Sequence, residues 1–179
     1  MLLQKLCEQD VADLYVLDQD PEVRRYIDDG KPPEPWPIFQ QEALRKIESY
    51  SAFGPELGFW SARLADDSFI GWFHLRPNRN VFPGEMEIGY RLQRKFWGQG
   101  LGTEGTLRLL DYAFSDLKLT YVMATTLKAN LGSQRVMEKA GMRFERDFVY
   151  PEKLAPYWDE TQRIAVKYSI VGQTEIKAR

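Results

Sequence analysis

Cysteine and histidine are almost missing: the 179-residue chain has one of each, Cys7 and His74. A single cysteine excludes an internal disulfide framework. With one histidine beside it, a zinc site of the Cys/His type is excluded as well, and no metal is expected. A Ser–His–Asp or Cys–His device would have to rest on His74 alone, and there is no Gly-x-Ser-x-Gly elbow to serve it. An excess of one charge is also lacking. Lys and Arg total 24 against 26 Asp and Glu, a net charge of −2, so nothing points to a nucleic-acid partner. No apolar run approaches the ~20 residues of a membrane span. The opening Met1-Leu2-Leu3-Gln4-Lys5-Leu6 breaks its apolar run at Gln4 and has no signal-peptide core. The expectation is a cytoplasmic protein with no membrane partner.

Apolar and aromatic residues, by contrast, are plentiful, at 44% and 13% of the chain. That is enough for a folded core, and the length suits one domain over 1–179 without repeats or a linker. The periodicity predicts a mixed α/β fold. Leu2–Leu6 reads as a strand. Asp10 reads as an N-cap before Val11, Leu14, Tyr15 and Leu17 at helical spacing. A second helix starts at Pro21, and a proline-rich loop covers 29–37. Phe39, Ala43, Ile47 and Tyr50 line a third helix. Leu57–Ala65 and Ser68–Leu75 read as a hairpin turning at Asp66-Asp67. Glu85–Leu92 alternates, with Met86, Ile88, Tyr90 and Leu92 on one face and Glu85, Glu87 and Arg91 on the other. A helical stripe runs from Thr106 to Leu117. Thr120–Leu127 is a strand and Asn130–Ala140 a helix stopped by Gly141. Arg143–Tyr150 and Arg163–Val171 are the last strands.

Lys95-Phe96-Trp97-Gly98-Gln99-Gly100-Leu101-Gly102-Thr103-Glu104-Gly105 joins a strand to a helix. Its glycines leave backbone N–H groups uncovered, and the helix start adds unpaired N–H groups and a positive dipole end. This is a site for an anion such as a pyrophosphate; the plain alternative is a tight turn. A P-loop is excluded because no lysine follows Gly102. A nicotinamide-type site has the Gly100, Gly102, Gly105 spacing but lacks an acid after the next strand, which ends Leu127-Lys128-Ala129-Asn130. Coenzyme A is the remaining candidate.

Glu87-Ile88-Gly89-Tyr90, Trp97-Gly98-Gln99-Gly100-Leu101-Gly102-Thr103-Glu104, Asn130-Leu131-Gly132-Ser133 and Glu138-Lys139-Ala140-Gly141-Met142 together resemble the GNAT N-acetyltransferases. Their branch resembles the RimJ/RimL type of ribosomal-protein N-terminal acetyltransferase. The motifs span about 85–144, and 2–75 resembles the family's helical N-terminal half only loosely. The resemblance implies a splayed, mixed, mostly antiparallel sheet flanked by helices. It implies acetyl-coenzyme A as co-substrate and an amine acceptor, either a protein N-terminus or a small molecule, attacking directly without a covalent acyl-enzyme. A monomer or a homodimer both suit it, and the slight acidic excess favours a cationic acceptor.

Carried onto this chain, the resemblance implies a cofactor set of Tyr90, Leu92, Lys95, Trp97, Gly98, Gln99, Gly100, Leu101, Gly102, Thr103 and Asn130. Trp97 departs from the family's Gln or Arg, and Arg94 and Lys95 stand nearby to supply charge. Glu87 is the candidate general base; its other reading is an exposed strand residue paired with Arg91 or a neighbouring strand. Glu85 is a second choice. Met137 occupies the family's tyrosine position and carries no proton to donate, so Ser133 is the candidate beside the departing sulfur, or else a helix N-cap. Tyr90 is read either as core or as a hydroxyl donor. Asn130 is read as a contact to the cofactor's amide arm or as a left-handed turn residue. A backbone N–H near Ile88–Tyr90 would face the thioester oxygen. Trp36, His74 and Trp158 are candidates for the acceptor pocket. The missing tyrosine leaves one alternative of another class: a non-catalytic acyl-coenzyme A sensor.

Overall fold

A computed structural model describes residues 1–51 and 53–172. One seven-stranded sheet, in the order β1-β2-β3-β4-β5-β7-β6, organises them. Its strands are β1 (Leu2–Lys5), β2 (Gly58–Arg63), β3 (Phe69–Pro77), β4 (Met86–Leu92), β5 (Tyr121–Leu127), β6 (Arg143–Val149) and β7 (Ile164–Val171). Neighbours are antiparallel except β4 and β5. The expected single domain over 1–179 therefore has its last strand within the described residues, while 173–179 lie outside them.

β4 and β5 run parallel and share a single register pair, Glu87↔Met123. Beyond it the strands part. Gln93 N–H donates to Ile70 O across the ladder with β3. By strand alternation, the N–H and C=O groups of Tyr90 and Leu92 then turn toward the gap.

The helices lie on both faces. α1 (Val11–Asp18), α2 (Pro21–Asp28) and α3 (Trp36–Ser51) belong to one side, where Leu17 and Val23 pack on Phe69 and Trp72 and Tyr50 meets Phe59. α3 starts inside the stretch expected to be loop, because Pro37 sits at its first turn, where a missing N–H costs nothing. α4 (Leu101–Asp111) and α5 (Leu131–Lys139) cover the other side. The helical stripe expected to reach Leu117 widens instead into a π-helical turn at Tyr112–Asp116. Gly105 lets α4 settle on β3: a Cβ there would come 2.1 Å from Phe73 Cζ. Gly141 ends α5 with a φ of +84°, and Met142 N–H returns to Met137 O, a left-handed stop as its position predicts. Among the described residues, no helix is long and apolar enough to cross a membrane.

Candidate active site

The parting of β4 and β5 opens a cleft of about 960 Å³ that is bordered from both faces of the sheet. On the α4–α5 side its wall is the glycine turn and the starts of the two helices. On the other side it reaches α2, β3 and the segment after β6.

Gly98 and Gly100 have φ of +74° and +81°, and a Cβ at either would meet nothing within 4 Å. Here glycine is required by the left-handed backbone, while the space above it stays open. Gly100 precedes α4, whose first N–H groups have no partner within the helix. The Trp97 indole N–H donates to Leu92 O at 2.9 Å, tying the turn to the end of β4. Gly102 brings α4 against Tyr90 and Val136, both 3.4 Å from its would-be Cβ. Backbone donors, uncovered glycines and a positive helix end suit the pyrophosphate of a coenzyme A.

Of the expected cofactor residues, Tyr90, Leu92, Trp97, Gly98, Gly100, Leu101, Gly102, Thr103 and Asn130 border the cleft. Lys95 and Gln99 do not: the Lys95 ammonium lies over the Phe96 ring, and the Gln99 amide folds back onto Lys95 O. Arg135 and Lys139, one turn apart on α5, border the cleft instead. Their spacing is that of one helical face, but nothing before the fold tied that face to the glycine turn.

Asn130, and not Ser133, takes the capping role. Asn130, at φ −85° and ψ 73°, is not left-handed; it is the N-cap of α5, and its Oδ1 accepts from Ser133 N–H at 3.1 Å. Ser133 is thus not the cap, and its side chain stands beside Tyr90. Burial pushes the Tyr90 hydroxyl up to about 12, with the neighbouring Ser133 side chain pulling the other way, so it is a neutral phenol near neutral pH. Tyr90 both packs on Phe73 and borders the cleft. Met137 is buried in the core.

Glu87 is not an exposed strand residue, and Arg91 is not its partner. It is 7% exposed because α1–α3 cover the face that alternation alone leaves to solvent. Its Oε2 lies 2.9 Å from Arg76 Nη2, directly across the β3–β4 ladder, and 3.7 Å from His74 Nε2. Its Oε1 accepts from Thr125 Oγ1 at 3.2 Å. Arg91 pairs with Asp18 instead, at 2.5 Å. Glu85 pairs with Lys167 at 2.6 Å and stands outside the cleft.

His74 does border the cleft, wedged between Trp72, stacked at 5.7 Å, and Phe59, edge-on at 5.3 Å. The bare backbone of Gly89 makes room for it, since a Cβ there would lie 2.8 Å from His74 Cε1. Burial, with Arg76 and Arg91 nearby, holds its imidazole well below the usual histidine range, so it is neutral. Trp158 borders the cleft, whereas Trp36 does not and meets Tyr15 edge-on at 5.2 Å. Arg76, Thr125 and Tyr150, which complete the surroundings of Glu87, are not distinguished by any motif. Only Arg76 had a signal, two residues beyond His74 and so on the same face. Among the described residues, no group of three potential ligands is placed to hold a metal ion.

Residues 1–143 match the acetyltransferase (GNAT) domain family. The chain is 33% identical over 170 residues to the FsC-acetyl coenzyme A-N(2)-transacetylase of Aspergillus fumigatus, a match covering 88% of this chain and 67% of that protein. It thus spans about two thirds of that relative's length. An acetyltransferase (GNAT family) from Bacillus anthracis has a TM-score of 0.75 at 24% identity, over 95% of this chain and 93% of that one. Spermidine N-acetyltransferase from Vibrio cholerae, solved with CoA and spermine, has a TM-score of 0.73 at 18% identity, over 95% and 94%. The chain belongs to the acetyltransferase (GNAT) domain family, and it is an N-acetyltransferase of that family.

Proposed function

We propose that the chain moves an acetyl group from acetyl-coenzyme A to a primary amine, by direct attack in the β4–β5 cleft, within one domain in the cytoplasm. The observation that carries this reading is a buried carboxylate, Glu87, at the inner end of a cleft whose other side is the left-handed glycine turn. The thioester supplies the electrophilic carbonyl. The chain's residues do the rest. The turn and the first N–H groups of α4 hold the pyrophosphate. The gap-facing Tyr90 C=O and Leu92 N–H pair with an amide arm as an added strand does, and a backbone N–H near Ile88–Tyr90 faces charge developing on the carbonyl oxygen. An ammonium cannot attack, so a proton must leave it, and Glu87 is its destination. Tyr90 and Ser133 supply hydroxyls on the α5 side, where the departing sulfur needs a proton.

The acceptor is a small amine or a protein N-terminus, the latter in keeping with the RimJ/RimL-like motifs. Thiol release from acetyl-coenzyme A, followed with spermidine, kanamycin and short peptides, tests the reading. Tight acetyl-coenzyme A binding with no release for any amine would instead favour a sensor.

A further inference from the structure

The contacts of Glu87 continue past Thr125. The Tyr150 hydroxyl lies 2.8 Å from Thr125 Oγ1, which lies 3.2 Å from Glu87 Oε1. Chemistry fixes the hydrogens. An ionised carboxylate only accepts, so Thr125 donates to Glu87. A threonine hydroxyl has one proton, so Tyr150 must donate to Thr125. Both protons point toward Glu87, and the phenolic oxygen is left with lone pairs for another donor. Tyr150 borders the cleft. Arg163 fixes its backbone, accepting its N–H at 3.0 Å and donating from Nη1 to its C=O at 2.9 Å. The carboxylate's other oxygen is enclosed by Arg76 at 2.9 Å and His74 at 3.7 Å.

We propose that Glu87 takes the acceptor's proton through Thr125 and Tyr150, with the Tyr150 oxygen as the group that meets the amine. The proposal rests on the reading of Glu87 as the base. The acceptor N–H bond breaks as an O–H bond forms on Tyr150. Tyr150's own proton passes to Thr125, and Thr125's to Glu87 Oε1. One proton leaves the ammonium, one arrives on the carboxylate, and both hydroxyls end neutral. The nitrogen lone pair is then free for the thioester. Such a relay needs a phenol that stays protonated, and burial pushes Tyr150 up to about 12 against the pull of Thr125. The groups facing Glu87 are Arg76 and His74 from β3, Thr125 from β5 and Tyr150 beyond β6; His74 is held neutral by burial and does not compete.

The test uses Tyr150→Phe, Thr125→Val, Thr125→Ser, Glu87→Gln and the double variant Tyr150→Phe/Glu87→Gln. The acceptor is whichever of spermidine, kanamycin or a tripeptide amine the parent acetylates fastest. Tyr150→Phe and Thr125→Val should each lower kcat about 10²-fold at neutral pH, the lower end of a proton-transfer loss. Acetyl-coenzyme A affinity should hold, the deficit should shrink as pH rises, and Thr125→Ser should restore most of the rate. The double variant should be no slower than Glu87→Gln, because residues acting as one unit are not additive. A merely structural tyrosine would alter melting without that pH dependence. Parent-like turnover by Tyr150→Phe, or a loss that adds to that of Glu87→Gln, overturns the relay while a slow Glu87→Gln keeps the base. Parent-like turnover by Glu87→Gln removes the base and the relay together.

Discussion

Arg76 and Glu87 stand opposite one another on the β3–β4 ladder, and their side chains close to 2.9 Å on the covered face of the sheet. The pair has two separable roles. Glu87→Gln keeps shape and loses the base, so turnover should fall by about 10²–10⁴-fold with acetyl-coenzyme A affinity near that of the parent. The loss should narrow at high pH, where more acceptor is already neutral. Arg76→Met instead leaves a mostly buried carboxylate without its cation, which should cost about 3–5 kcal/mol in urea unfolding. Equal stability in Arg76→Met would mean that the pair is solvated.

The cap of α5 makes a second contrast. Asn130 Oδ1 accepts from Ser133 N–H, so Asn130→Ala should lower stability by about 1 kcal/mol. Ser133→Ala should leave the melt nearly unchanged. It should slow the chemical step by about tenfold, or ~1.4 kcal/mol, through its hydroxyl beside Tyr90. Single-turnover rates and thermal melts on both variants separate the two roles; a melt lowered by Ser133→Ala, at an unchanged rate, would reverse them.

Gly100 and Gly84 form a matched pair of left-handed glycines, with φ of +81° and +90° and open space at each would-be Cβ. A side chain at either should cost roughly 1–2 kcal/mol of backbone strain. Only Gly100 borders the cleft. Gly100→Val should therefore weaken coenzyme A binding in calorimetry, and Gly84→Val should not. Equal affinity in both folded variants would remove the glycine turn from the site.

His74 gives the pH dependence a sign. The unfolded chain takes up a proton on histidine near ~6.5, whereas the buried imidazole of the folded chain titrates well below that. The native state thus binds fewer protons, and stability falls as pH drops through ~6.5, by at most ~1.4 kcal/mol per unit. Because the chain has one histidine, no second imidazole contributes to urea titrations between pH 5 and 6.5. His74→Gln should flatten the slope; an unchanged slope would assign it to other groups.

The individual strands, the glycine turn and the residues along β4 were legible because strand period, glycine spacing and helix stops are local, whereas the arrangement of the strands in one sheet came from the family resemblance. The partners of Glu87 were not legible. Arg76 faces it only through the β3–β4 register, and Tyr150 reaches it only because β6 and β7 return beside β5. Alternation set Glu85, Glu87 and Arg91 on the face opposite Met86, Ile88, Tyr90 and Leu92, but it does not reveal that α1–α3 lie over Glu87 and Arg91. Trp36 was misread for the opposite reason: it is an aromatic inside the proline-rich stretch, yet it starts α3 and packs within the helical layer on Tyr15.

The single rung between β4 and β5 leaves a strand edge in the middle of a sheet rather than at its margin. Unpaired edges ordinarily invite pairing with another chain and, with it, aggregation. Here the template is kept indoors. α4, α5 and the 98–103 turn flank it, and the Trp97 indole plugs the outermost carbonyl, that of Leu92. A slender, amide-bearing chain can thread the slot, whereas a second β-strand with side chains on both faces would have to displace two helices to do so.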